Sequence, residues 1–183
     1  SNVYKRQGEP LKQGGPVIDD HRAPGCEKNS RGEPMACLPA KWKTIPEYLE
    51  EQDISWLVYE DTDNGYHNFL EQFEQYEQAL ISQGPLAKRG IYRPGLHKFF
   101  YDLKNGSLPQ VSYIVPPIEI SEHPPNLVSD GAWLQQAVAN ALMESDYWNK
   151  TALIVSYDET GGFADHVMAP HAPKGTPGEW MED

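Results

Sequence analysis

Three short apolar runs, Ile54 to Tyr59, Gln110 to Val115 and Ala152 to Val155, are separated by stretches whose apolar residues recur every three or four positions. That alternation constrains the fold more than any other feature of the chain. Apolar, partly β-branched runs of this length read as strands covered on both faces, as in a parallel sheet. The order strand, helix, helix, strand, helix, strand then implies parallel strands joined by right-handed crossovers. The expected fold class is α/β, an α/β/α sandwich with a mostly parallel sheet, incomplete in this chain.

The helical stretches carry their own start and stop signals. Thr44, with Pro46 in the first turn and Glu47 three residues after the cap, predicts a helix running to about Gln52. From Asn68 to Gln83 the residues Phe69, Phe73, Tyr76 and Leu80 fall on one side of a helix that covers the sheet. Gly95 to Asn105 places Leu96, Phe99, Phe100 and Leu103 on a second amphipathic helix stopped by Gly106, with His97 as a surface or core-edge imidazole. Asp130 caps a helix over residues 131–146 that turns Trp133, Leu134, Ala137, Val138, Ala141 and Leu142 to the core. Residues 1–43, rich in Gly, Pro and charge, form an irregular segment, and residues 44–183 a partial α/β domain truncated at both ends.

Chemistry collects where the strands end. In open α/β sheets ligands bind at the carboxyl edge, because loops leaving it converge while the packed sheet holds them still. The third run leads into Tyr157-Asp-Glu-Thr-Gly-Gly-Phe-Ala-Asp-His166, which supplies Asp158, Glu159, Asp165 and His166 around two glycines. The loop after the second run carries Glu119, Glu122 and His123, broken from the strand by Pro116 and Pro117. Both loops are expected on one edge of the sheet. Adjacent carboxylates suit a hard divalent cation, and an imidazole suits a phosphoryl oxygen or a leaving group. The acids of Glu60-Asp-Thr-Asp-Asn-Gly65 also follow a strand and could bind a cation, but are read as solvated loop residues.

Charge and composition narrow the partners. A formal net charge of −12 disfavours duplex nucleic acid and anionic bilayer surfaces, so an anionic substrate needs positive charge supplied locally. No apolar run approaches the ~20 residues of a membrane helix. No stretch has the make-up of a secretory signal peptide, and the sequence starts at Ser1 without a methionine. Cys26 and Cys37 lie in a Pro/Gly-rich stretch, where a disulfide is the preferred reading and free thiols the alternative. Asn105-Gly-Ser107 and Asn149-Lys-Thr151 match the glycosylation acceptor pattern, which agrees with an extracellular or secreted protein.

The segments Pro109-Gln-Val-Ser-Tyr-Ile-Val, Ser121-Glu-His-Pro-Pro125, Asp130-Gly-Ala-Trp133, Tyr157 to His166 and Gly175-Thr-Pro-Gly-Glu-Trp180 occur in the order found in a known family. From about Gly14 onward the chain resembles the phosphoesterase family of bacterial phospholipases C and acid phosphatases, in its fungal secreted branch. The resemblance implies an alkaline-phosphatase-like fold and metal-assisted hydrolysis of a phosphate ester or phospholipid, in which a Ser or Thr hydroxyl is transiently phosphorylated. It assigns Asp158 and Glu159 to a divalent metal ion, for which several hard cations would serve, and His123 and His166 to the phosphoryl group. The family's early Glu-Asn motif and its nucleophile motif have no match here, nor has a later histidine-bearing segment. The expectation is an internal fragment of a longer enzyme, inactive by itself. Two rivals remain: a non-catalytic secreted protein that keeps the fold, and a glycosidase using Asp158 or Glu159. The glycosidase ranks low, because neighbouring residues on a strand point to opposite faces.

Overall fold

The computed structural model describes residues 41–61 and 68–157, together with 15, 16, 163, 164, 166–168, 170, 173, 174, 180 and 181. The chain divides into two compact units, one of Ser1–Ala40 with Tyr157–Asp183 and one of Lys41–Ser156. In the first, β1 (Gly15–Pro16) pairs antiparallel with β4 (Trp180–Met181), Gly15 opposite Met181 and Pro16 opposite Trp180.

The second unit is built on two parallel strands, β2 (Trp56–Glu60) and β3 (Val111–Val115), in register from Trp56 opposite Val111 to Glu60 opposite Val115. Parallel strands need a crossover, and here it contains α2 (Glu74–Ser82), α3 (Pro85–Gly90) and α4 (Leu96–Lys104). The pleat sorts the side chains by period two. Trp56 and Val58 enter one core with Tyr76, flanked by Leu49, Leu70, Phe73, Leu86, Ile91, Val111, Tyr113 and Val115. Tyr59 enters the other, with Leu96, Phe99 and Leu103 of α4 and Leu134, Val138 and Leu142 of α5 (Val128–Met143). Helices therefore cover both faces, the α/β arrangement with a parallel sheet that the alternating sequence predicts.

Local signals explain the starts of α1 (Ile45–Glu51) and α4. In α1 the Glu47 carboxylate accepts from both the backbone N–H and the hydroxyl of Thr44, at 2.7 and 2.8 Å. Because that hydroxyl proton is committed to Glu47, the buried Tyr76 hydroxyl, 2.8 Å away, donates to Thr44 Oγ1. Burial pushes the Tyr76 phenol up to about 12. Helix α4 is entered through Gly95, whose φ of +83° a side chain would resist.

Three expectations change. The helix expected over Asn68–Gln83 is a 3-10 turn, Phe69–Gln72, followed by α2 after a break at Phe73. The tighter turn shifts the helical phase, so Tyr76 and Ala79 are buried while Phe69 and Leu80 are exposed. Asp130 lies in the first turn of α5 instead of capping it; Leu127 is the N-cap. The buried stripe there is Gly131, Leu134, Val138 and Leu142, and Trp133, a hundred degrees round the helix from Leu134, is 60% exposed. Finally, Ala152 to Val155 do not form a strand, and Ile154 is 84% exposed. A strand exists only where a neighbour takes up its N–H and C=O groups, and no described strand pairs with this run.

Candidate active site at the carboxyl edge of the sheet

Because β2 and β3 are parallel and in register, the loops that leave Glu60 and Val115 emerge from the same edge. The β2 side is closed by charge. Glu60, 0% exposed, accepts from Arg93 Nε at 2.8 Å and from Asn68 Nδ2; Arg93 also pairs with Glu71, and Asn68 donates to the Gly90 carbonyl at 2.7 Å. The Glu60 carbonyl accepts from Gly95 N at 2.8 Å, and the Asp61 carboxylate accepts from Leu96 N at 3.3 Å. The chain leaving the strand and the chain entering α4 are thus bound to the same point.

This corrects the reading of Glu60 as a solvated loop acid. Trp56, Val58 and Glu60 share one face of the strand by period two, so the buried face continues through Glu60. That spacing was visible in the sequence; Asn68 and Arg93, which satisfy the charge, have no periodic signal. Burial, with the Glu71 charge adding to it, raises the Glu60 carboxyl above its ordinary value against the opposing Asn68 and Arg93 bonds. A carboxyl raised in the folded state contributes stability below its unfolded pKa, and loses it as pH rises through the folded pKa. Glu60→Gln is therefore expected to be most destabilising near pH 4 and progressively less so as pH rises. Denaturation midpoints of the two proteins across pH 4 to 8 check this; a gap that widens with pH contradicts it.

On the β3 side a 3-10 turn, Ile118–Ile120, leads into the loop of Ser121 to Asn126. Ser121 is buried, and its hydroxyl donates to the Ile118 carbonyl at 2.9 Å and accepts from His123 N at 3.3 Å. Asn126 N donates to the His123 carbonyl at 2.9 Å, and Asn126 Nδ2 to the Ile118 carbonyl. His123 is exposed on this fixed loop, with Nδ1 2.7 Å from the Pro124 carbonyl oxygen. A carbonyl oxygen only accepts, so Nδ1 carries a proton, and in the neutral ring Nε2 is the basic nitrogen.

His166 is exposed in the first unit. Asp158, Glu159 and Asp165 lie outside the described residues, as do Cys26 and Cys37. Among the described residues no group of three or more His, Cys, Asp or Glu could hold a metal ion. His97 is exposed, as expected for a surface imidazole, and Asn105 and Asn149 of the two acceptor patterns are exposed as well. No helix of the described residues is long and apolar enough to cross a membrane.

The described strands and helices make an α/β arrangement with an imidazole-bearing loop at the carboxyl edge of its parallel pair, the edge at which open α/β sheets in general bind ligands. The chain belongs to the phosphoesterase family, whose model matches residues 8–183. It is 40% identical over 149 residues to "Phospholipase C B" of Mycobacterium tuberculosis (strain CDC 1551 / Oshkosh), covering 76% of this chain and 28% of that protein. It is 40% identical over 176 residues to "Non-hemolytic phospholipase C" of Pseudomonas aeruginosa, covering 93% of this chain and 24% of that protein. "Non-specific phospholipase C6" of Arabidopsis thaliana is 38% identical over 141 residues, covering 70% of this chain and 24% of its own length. The chain thus spans about a quarter of the length of these relatives.

Proposed function

We propose that the protein containing these residues hydrolyses phosphate esters, with a phospholipid phosphodiester as the first substrate to test and a simple monoester as the second. The observation that carries this is the His123 loop, an imidazole held at the carboxyl edge of the sheet of a phosphoesterase-family chain with Nδ1 bonded to the Pro124 carbonyl. The names of the relatives favour the phospholipid.

In this reading His123 Nε2, when protonated, donates to a phosphoryl oxygen or to the departing alkoxide, and Nδ1 stays fixed to the Pro124 carbonyl. His166 is the second imidazole near the phosphoryl group. Asp158 and Glu159 would hold a divalent cation, their hard oxygens being the right donors, and the cation would neutralise phosphoryl charge and acidify a bound hydroxyl. This answers the problem set by a net charge of −12, since only the local charge need be positive. The hydroxyl that takes the phosphoryl group would come from sequence outside these 183 residues, and the 183-residue chain alone is proposed to be inactive. Secretion fits the two exposed acceptor asparagines.

The test is hydrolysis of phosphatidylcholine and of p-nitrophenyl phosphate by the full-length protein, with and without chelator. Release of diacylglycerol or p-nitrophenol that a chelator stops is expected, and His123→Ala should lower the rate about 10²- to 10⁴-fold. If the full-length protein cleaves neither ester with Mg²⁺, Ca²⁺, Mn²⁺ or Zn²⁺ added, it is a non-catalytic protein that keeps the fold. Metal-dependent turnover by the 183-residue chain alone would refute the inactive-fragment part.

A further inference from the structure

We infer that Gly131 is a positioning residue for His123, acting through Glu122. Gly131 is buried in α5, one turn before Gln135 on the same helix face. A Cβ built on Gly131 would lie 2.3 Å from Glu122 Cγ, 3.0 Å from Oε1 and 3.2 Å from Cδ. The Glu122 side chain therefore lies against the bare helix backbone, and its Oε1 accepts from Gln135 Nε2 at 2.8 Å. Gly131 is the notch and Gln135 the catch.

The residue held this way is the immediate neighbour of His123. Ser121 and Asn126 close the loop on itself and on the Ile118 carbonyl, but those bonds lie within the 118–126 segment. The contact of Glu122 with Gly131 and Gln135 ties the segment to α5, whose Leu134, Val138 and Leu142 are rooted in the core. The helix thus shares with Ile120, which packs against the same core, in setting the place of the imidazole relative to the sheet edge. Glycine is a poor helix former, and alanine at this position would favour the helix itself. The atom in its way is the Glu122 Cγ, one rotatable bond from the main chain. Alanine at 131 must therefore displace Glu122, either by turning its side chain away from Gln135 or by shifting the backbone, and both undo the contact that seats the residue next to His123.

The inference rests on the proposed role of His123 at the phosphoryl group, and its test separates the two. In the full-length protein Gly131→Ala is expected to change the melting midpoint little, the gain in helix propensity offsetting the displaced contact, while lowering kcat about a hundredfold, the loss that a ~1 Å misplacement of a reacting group can cause. KM should change little. Removing the tie without adding bulk should act at the same point: Glu122→Ala should itself lower kcat, and Gly131→Ala added to Glu122→Ala should cost little more, the non-additivity expected of residues in contact. The His123 imidazole signal, followed by NMR of histidine-labelled protein and assigned with His123→Gln, should shift in Gly131→Ala and in Glu122→Ala. An unshifted signal with unchanged kcat in Gly131→Ala overturns the inference, and so do losses in Gly131→Ala and Glu122→Ala that simply multiply in the double variant. If His123→Ala itself leaves kcat intact, the role given to His123 fails, and the imidazole signal then reads the seat alone.

Discussion

Asp102→Ala is expected to destabilise the Lys41–Ser156 unit by about 1 to 3 kcal/mol, the range for leaving a buried hydrogen-bonding group without its partner, since the Lys98 ammonium is partly exposed and regains water. Asp102 is 3% exposed and takes three kinds of donor at once. Tyr59 Oη donates to its Oδ2 at 2.9 Å, Lys98 Nζ to both oxygens at 2.7 Å, and Ser107 Oγ to Oδ1 at 2.9 Å. These bonds join the middle of the sheet, helix α4 and the turn that follows it. Burial alone pushes the Asp102 carboxyl up, but the bonds from Lys98, Tyr59 and Ser107 outweigh it and hold the group below its ordinary value. Truncation leaves the Tyr59 hydroxyl without that acceptor at 0% exposure, in contact with Phe99 through an edge-on ring pair 5.5 Å between centroids. Tyr59→Phe removes one donor and leaves Lys98 and Ser107 in place, so about 1 kcal/mol is expected. The sign with pH is opposite to that of Glu60. A depressed carboxyl contributes stability above its unfolded pKa and loses it as pH falls through the folded one, so the Asp102→Ala penalty should shrink below pH 3.8, the ordinary value. Chemical denaturation at pH 7 and at pH 3 measures both; an equal penalty at the two values would show that the charge contributes nothing.

The parts of the fold legible in sequence are those set by periodicity. Trp56, Val58 and Tyr59 divide between two cores by the pleat, and Leu96, Phe99 and Leu103 bury one stripe of α4. The Thr44–Glu47 cap needs only the two residues and their spacing. What the sequence hid is set by partners far along the chain. Glu60 reads as a solvated acid until Arg93, 33 residues away, and Asn68 are seen to satisfy it. Short α3 is built on six residues behind Gly84, too few for a periodic stripe. Ala152 to Val155 has the composition of a strand, but composition does not supply the neighbour whose backbone a strand must bond. For the site, motif and spacing point to His123, while the Pro124 carbonyl beside its Nδ1 and the seat of Glu122 on Gly131 are seen only in the structure.

Asp158→Ala in the full-length protein is expected to abolish phosphate ester hydrolysis, by more than about a hundredfold, and to lower bound metal. The magnitude follows from position in the proposed site: groups that merely support a ligand change metal affinity or activity 10- to 100-fold, roughly, when removed, and Asp158 is proposed as a ligand itself. The direction follows from charge. The 183-residue chain carries a net charge of −12, so removing one carboxylate makes it less repulsive to an anionic ester, and any electrostatic steering should improve slightly. A fall in rate therefore cannot come from the long-range field and must come from the local site. Asp158→Asn sharpens the distinction, since it removes the charge while retaining an oxygen donor; it should bind metal more weakly than the parent and more tightly than the alanine variant, with activity partly recovered by excess metal. Metal content after dialysis, measured beside turnover of p-nitrophenyl phosphate and phosphatidylcholine, reads both effects. Full activity with full metal content in Asp158→Ala would remove Asp158 from the site. Retained metal with lost activity would instead make it a group acting on the substrate, leaving the metal to other ligands.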